Sequence, residues 1–196
     1  KMKDKADNSN ARYAIAAGMN YTISKQAFPF WGAPARDQVS TLAGTRPEYK
    51  GQALREFRHT ETHLRAAKKA VPKSSWQLAY TGSVGSQSLT GIPNVHALRQ
   101  ALPGTRVWPF EFGAGALDDD ALEDVKIVMA EIYPSQLKFE TNAGETTDEA
   151  QVRAMTHHYA ALDEKSQLGV RFALPATLSE SEIGEIQGEE GWILSI

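Results

Sequence analysis

The sequence predicts an α/β fold, on three observations. An unbroken apolar run, Ile127–Ala130 inside "KIVMAEIY", reads as a strand buried on both faces, as in the middle of a parallel sheet. The stretch "TTDEAQVRAMTHHYAALDEKSQ" opens on an S/T-x-x-E capping box, Thr146 with Glu149. It continues with Val152, Met155, Tyr159 and Leu162 at helical steps. "TRVWPFEFG" is a second β-prone stretch, which Pro109 marks as an edge or irregular strand.

The remaining elements follow in order. Residues 8–23 read as a first helix, with Ile15 and Met19 at helical spacing and Asp7 or Asn8 as its cap. Residues 26–52 have no period of either kind and hold "FPFWGAPARD", whose aromatics suggest an ordered loop. Residues 56–70 read as a helix that Pro72 ends. A Gly/Ser loop, Thr81–Gly91, then enters a helix with a stripe of Val95, Leu98 and Leu102, closed by Pro103-Gly104. "ALDDDALEDV" is an acidic connection, and a short helix near Glu180–Gln187 leads into the terminal "GWILSI". The expectation is one domain over residues 1–196. Residues 1–104 would be a helical, loop-rich cap or insertion, and 105–196 the C-terminal part of an α/β core.

Composition narrows the function classes. Without cysteine there are no disulfides, no thiolate chemistry and no cysteine-ligated zinc. No stretch reaches the roughly 18 apolar residues of a membrane helix, and the expected location is the cytoplasm. The formal net charge of −3 gives no overall pull toward nucleic acid. A local basic patch around Arg65, Lys68, Lys69 and Lys73 is still compatible with it. The opening Lys1-Met2-Lys3-Asp4-Lys5 has no leading methionine, as in a processed or partial chain.

Three acids stand out. Glu131 ends the apolar strand, at the position where open α/β sheets place their ligands. A buried unpaired carboxylate is costly, so it needs a partner, a metal or water; the plain alternative is a strand end that has reached solvent. Asp148 lies in the first turn of the capped helix, where the helix dipole favours a carboxylate. It stands four residues before Val152, on the expected apolar face, and should look toward the sheet. Glu131 and Asp148 would then share a hard divalent cation, Mg²⁺ or Mn²⁺. Glu111, between Phe110 and Phe112, joins them as an auxiliary ligand or is a plain edge-strand acid.

Other motifs are weaker. "TGSVGSQSLTG" can cradle a phosphate on backbone amides, or serve as an ordinary loop and cap. It is neither a Walker motif nor a nucleophile elbow. "HTETH" has histidines at i and i+4, but Thr60 stands where a metalloprotease has glutamate. "FPFWG" is either a core plug or a stacking platform. Trp31, Ser83, Ser86 and Gln87 are the candidate substrate-binding residues on these two loops.

Taken together, "DNSNARYAIAAGMN", "FPFWG", "TGSVGSQSLTGIP", "VWPFEFG", "AEIYPS", "DEAQVRAM" and "EEGWIL" resemble, in this order, a family of bacterial, chiefly proteobacterial, proteins whose function is not established. Some of its members carry labels from cobalamin or molybdopterin biosynthesis. More distantly the chain resembles a branch of the RNase H-like superfamily that contains predicted nucleases. That branch has a glutamate followed by a proline-containing element at a strand end, matched by Glu131 with Tyr133-Pro134. It also has an aspartate opening the last core helix, matched by Asp148. The resemblance implies a metal-dependent phosphodiester hydrolase, with nucleic acid as a possible substrate. Relatives open with an Asp-bearing strand ahead of the segment equivalent to Asp7, so the expected sheet here lacks its N-terminal strands. A complete two-metal site then would not form within this chain. The rival expectations are a non-catalytic binding or regulatory protein on the same fold, or a small-molecule enzyme with a pocket at the "FPFWG" and "TGSVGSQ" loops.

Overall fold

The computed structural model describes residues 10–67 and 70–195. The proposed caps Asp7 and Asn8, and Lys68 and Lys69 of the basic patch, lie outside the described residues. The chain divides into two compact units, residues 1–61 with 71–101 and residues 62–70 with 102–196. Residues 62–70, between the two segments of the first unit, go with the second.

The first unit begins with α1 (Arg12–Ser24), which Lys25 ends in the left-handed conformation at φ 61°, its N–H donating to Tyr21 O. The helix packs through Ala16, fully buried, and Asn20. Ile15 and Met19, the pair expected to face the core, are exposed. The reason lies in the loop that α1 covers. Asn20 Nδ2 donates to Phe30 O (2.9 Å) and Thr41 O (2.8 Å), and Phe30 N donates back to Asn20 Oδ1 at 2.8 Å. A polar side chain that satisfies three backbone groups inside the protein turns the helix onto its Ala16–Asn20 face.

Against that face sits the core of Ala16, Phe30, Ala33, Leu42 and Leu78. Phe28 and Phe30 are buried, so "FPFWG" plugs the core, and Phe30 meets Trp76 edge-on at 5.0 Å. Trp31 N donates to Trp76 O, and Leu78 N to Trp31 O, in a parallel bridge of Trp31 with Gln77. On the far side of residues 76–78 lies the start of α3 (Gly85–Ala101). Gly85 N donates to Gln77 O at 2.8 Å. A Cβ on Gly85 would stand 2.6 Å from Ser75 O, so only glycine allows this approach. Residues 85–91 of the expected Gly/Ser loop are thus helix, and Pro93 lies inside that helix. The expected stripe is not core: Val95, Leu98 and Leu102 are exposed. A short helix, α2 (His59–Ala66), carries the division between the units.

The second unit holds a small parallel sheet. β1 (Thr105–Val107) pairs with β2 (Ile127–Met129) in the register Thr105 with Ile127 and Val107 with Met129. Beyond β2, Glu131 makes a parallel bridge with Ile193, and Leu194 N donates to Glu131 O at 2.8 Å. The core beside this sheet is Trp108, Leu117, Phe172, Leu174, Ile186, Trp192 and Leu194, with Trp108 edge-on to Phe172 at 5.5 Å. Two sequence expectations change here. "VWPFEFG" does not continue as strand, because residues 108–111 form a turn in which Phe112 N donates to Pro109 O. β2 is not buried on both faces: Val128 and Ala130 pack on the core, while Ile127 and Glu131, at the alternate positions, are exposed.

The long helix α4 (Thr147–Asp163) carries the expected capping box in full, Glu149 N to Thr146 Oγ1 and Thr146 N to Glu149 Oε2. α5 (Glu180–Glu185) repeats the device with Ser179 and Glu182 and runs into a π-helical turn, Ile186–Glu190. Helices together with a small two-stranded parallel sheet make the chain α/β in the broad sense. Among the described residues no helix is long and apolar enough to cross a membrane.

Candidate functional site

Parallel strands end on one side, and the C-terminal ends of parallel strands are where open α/β sheets bind ligands. In the second unit three segments leave the sheet there: residues 108–111 after β1, 131–133 after β2, and 194–195 after the bridge at Ile193. Two of the three predicted acids lie on these segments, Glu111 and Glu131. Their chain neighbours Phe110 and Ile132 are 44% and 40% exposed.

Glu131 is exposed, which removes the burial cost that the sequence reading attached to it. It stands on the face of Ile127, away from the core that Val128 and Ala130 touch. Glu111 is half-buried, and its Oε2 accepts the Val107 N–H at 2.8 Å. This carboxylate therefore closes the turn after β1.

Asp148 is exposed in the first turn of α4. It was expected to share an inward face with Val152, yet Val152 is 59% exposed. The buried line of α4 is Ala150, Met155 and Leu162, with Tyr159 against the core, so the face of Asp148 and Val152 points to water. α4 packs against the short 3-10 turn Pro134–Gln136 that follows Glu131 in the chain. Among the described residues, no group of three His, Asp or Glu ligand atoms of metal-binding closeness includes Glu111, Glu131 or Asp148.

Sequence reasoning missed two groups at the same edge. Ser195 has a buried hydroxyl, and the phenol of Tyr159 lies near it. Burial raises the pKa of Tyr159, an effect that Ser195 tempers. Tyr159 was legible only as a core position, and nothing in "GWILSI" announces a segment that joins the sheet.

The substrate-binding candidates belong to the first unit. Trp31 is half-buried in its backbone bridge to Gln77, and its indole N–H is buried without a partner. Ser86 Oγ donates to Leu78 O, and Ser83 N closes a turn onto Tyr80 O. Gln87 is exposed in the first turn of α3. The two predicted loops therefore meet on opposite sides of residues 76–78, held by backbone hydrogen bonds. The Gly85 amide that a phosphate would need is already spent on Gln77.

The "HTETH" histidines have other duties. His59 Nε2 lies 2.9 Å from an Arg55 guanidinium nitrogen, and the His63 ring packs on Trp192 at 5.5 Å.

Charge is divided unevenly between the units. The first carries 12 basic and 6 acidic residues, a net of +6. The second carries 9 basic and 18 acidic residues, a net of −9. The whole-chain value of −3 hides this difference and does not argue against an anionic ligand for the first unit.

Comparison with protein-family models, with curated proteins and with solved structures finds no match to this chain.

Proposed function

We propose that the chain carries part of a metal-dependent phosphodiester hydrolase of RNase H-like type, nuclease-like in its substrate, with Glu131 as its central acid. The observation that supports this most is the place of Glu131, exposed at the C-terminal end of a strand in a parallel sheet. Asp148, exposed at the start of the helix that packs on the following turn, is the second acid.

The donor set fits a hard cation. Mg²⁺ keeps several waters and takes one or two carboxylates, so two solvent-open carboxylates suit it or Mn²⁺ without a closed cage. Such an ion, when bound, activates water and neutralises charge at the leaving oxygen. Glu131 and Asp148 would hold and orient it. Glu111 is assigned the turn after β1 rather than a ligand role, since Val107 uses its carboxylate.

One observation favours a second reading, a non-catalytic binding protein on the same fold: among the described residues the three acids belong to no group of three ligand atoms of metal-binding closeness. Hydrolysis of bis(p-nitrophenyl) phosphate separates the two. The hydrolase reading expects Mn²⁺-dependent turnover that Glu131→Gln abolishes. Turnover absent with every divalent ion, or unchanged in Glu131→Gln, would favour the binding protein.

A further inference from the structure

The outer face of α1 is an apolar track. Ile15, Met19 and Ile23 follow one another at steps of four, 37%, 39% and 46% exposed. They span about two turns, roughly 12 Å along the axis. The face cannot rotate inward, because Asn20 and Ala16 fix the opposite side of the helix in the fold. At its C-terminal end the track opens into a cleft of about 290 Å³, walled by Ile23, Phe28 and Leu54 with Ser24 and Gln52 at its polar edge. That volume lies at the lower limit for small-molecule sites and suits one large apolar side chain.

The electrostatics point to one kind of occupant. α1 has no acidic residue. Arg12 stands at its start, stacked on Tyr13, and Lys25 at its end, with Nζ 4.1 Å from the centre of the Tyr21 ring. The unit as a whole is +6, which disfavours a second copy of the same face.

We infer that α1 and its cleft form a docking groove for an amphipathic helical segment of a partner protein, with apolar anchors along one side and acidic residues beside them. The partner's anchors lie along Ile15, Met19 and Ile23, the last of them entering the cleft beside Phe28 and Leu54, as in helix-in-groove recognition. Its carboxylates face Lys25. A flat lipid surface meets the same basic and apolar groups but does not follow the concave cleft.

The test uses the full chain and two labelled synthetic helical peptides with the same leucine stripe, one flanked by glutamates and one by lysines. Fluorescence anisotropy is expected to show binding of the glutamate peptide alone. Met19→Glu is expected to weaken it about tenfold or more, and Lys25→Glu to weaken it and flatten its salt dependence. Both positions are exposed. Circular dichroism checks that Met19→Glu is folded, and Ile23→Ser takes its place if it is not. Failure of both peptides to bind, equal binding of both, or indifference to Met19→Glu and Ile23→Ser would overturn the inference. So would recruitment of the chain to phosphatidylglycerol vesicles without binding of the glutamate peptide.

Discussion

Asn20 and Phe30 hold each other in both directions, the side-chain amide of Asn20 donating to Phe30 O at 2.9 Å and accepting from Phe30 N at 2.8 Å. Asn20 is fully buried, and its amide also serves Thr41 O. Asn20→Ala leaves one buried N–H and two carbonyls without this partner. The expected loss is about 2–4 kcal/mol, from the cost of unsatisfied buried groups. Urea unfolding of the two proteins checks it; a change under about 0.5 kcal/mol would mean that other groups or water replace the amide.

Gly85 and Gly91 make a contrasting pair on one helix. A Cβ at Gly85 meets Ser75 O at 2.6 Å and Gln77 O at 2.7 Å, both backbone atoms. At Gly91 a Cβ meets nothing within 4 Å. Gly85→Ala should destabilise by about 2 kcal/mol or more through overpacking. Gly91→Ala should stabilise by about 0.5–1 kcal/mol through helix propensity. Thermal unfolding of both variants decides it, and a similar shift for the two would contradict the close approach of α3 to residues 75–77.

Glu111 should tolerate the loss of its charge. The amide oxygen of Glu111→Gln still accepts from Val107 N, whereas Glu111→Ala leaves that N–H open, at about 1 kcal/mol. Mn²⁺ affinity is expected to be the same in Glu111→Gln and the unmodified chain. A marked loss of affinity in Glu111→Gln would return Glu111 to the ligand set.

Acid should loosen the start of α4. Hydrogen bonds from Arg153, and then from the Asn142 N–H, hold the Glu145 carboxyl down at about 2 from an ordinary 4.5. The Thr146 backbone N–H and hydroxyl also lower Glu149. A depressed acid contributes stability above its unfolded pKa, and the contribution is lost as pH falls through the folded value. For Glu145 the window runs from 4.5 down to about 2. Carboxyl NMR titration should place its midpoint near the lower end and move it upward in Arg153→Met. A wild-type midpoint at the ordinary value would contradict the Arg153 pairing.

Local signals in the sequence carried far, and long-range ones did not. The Thr146–Glu149 capping box located α4 because both partners lie within one turn. The inward face of that helix was misread because Val152 looks like a core residue, while small Ala150 is the one buried. The apolar run at β2 located a strand, but composition alone does not tell one buried face from two. The bridge from Glu131 to Ile193 joins segments far apart in the chain and has no local signature. Asn20 gave no warning either, since its partners are backbone groups of a loop without a period. The charge contrast between the units was present in the sequence but vanished in the single sum.

Calorimetric titration of Mn²⁺ into the full chain, beside Glu131→Gln and Asp148→Asn, tests the central claim most directly. The account predicts a saturable site that is lost in both variants while both remain folded. No binding by the unmodified chain, or binding that survives both substitutions, would contradict a metal site on these two acids.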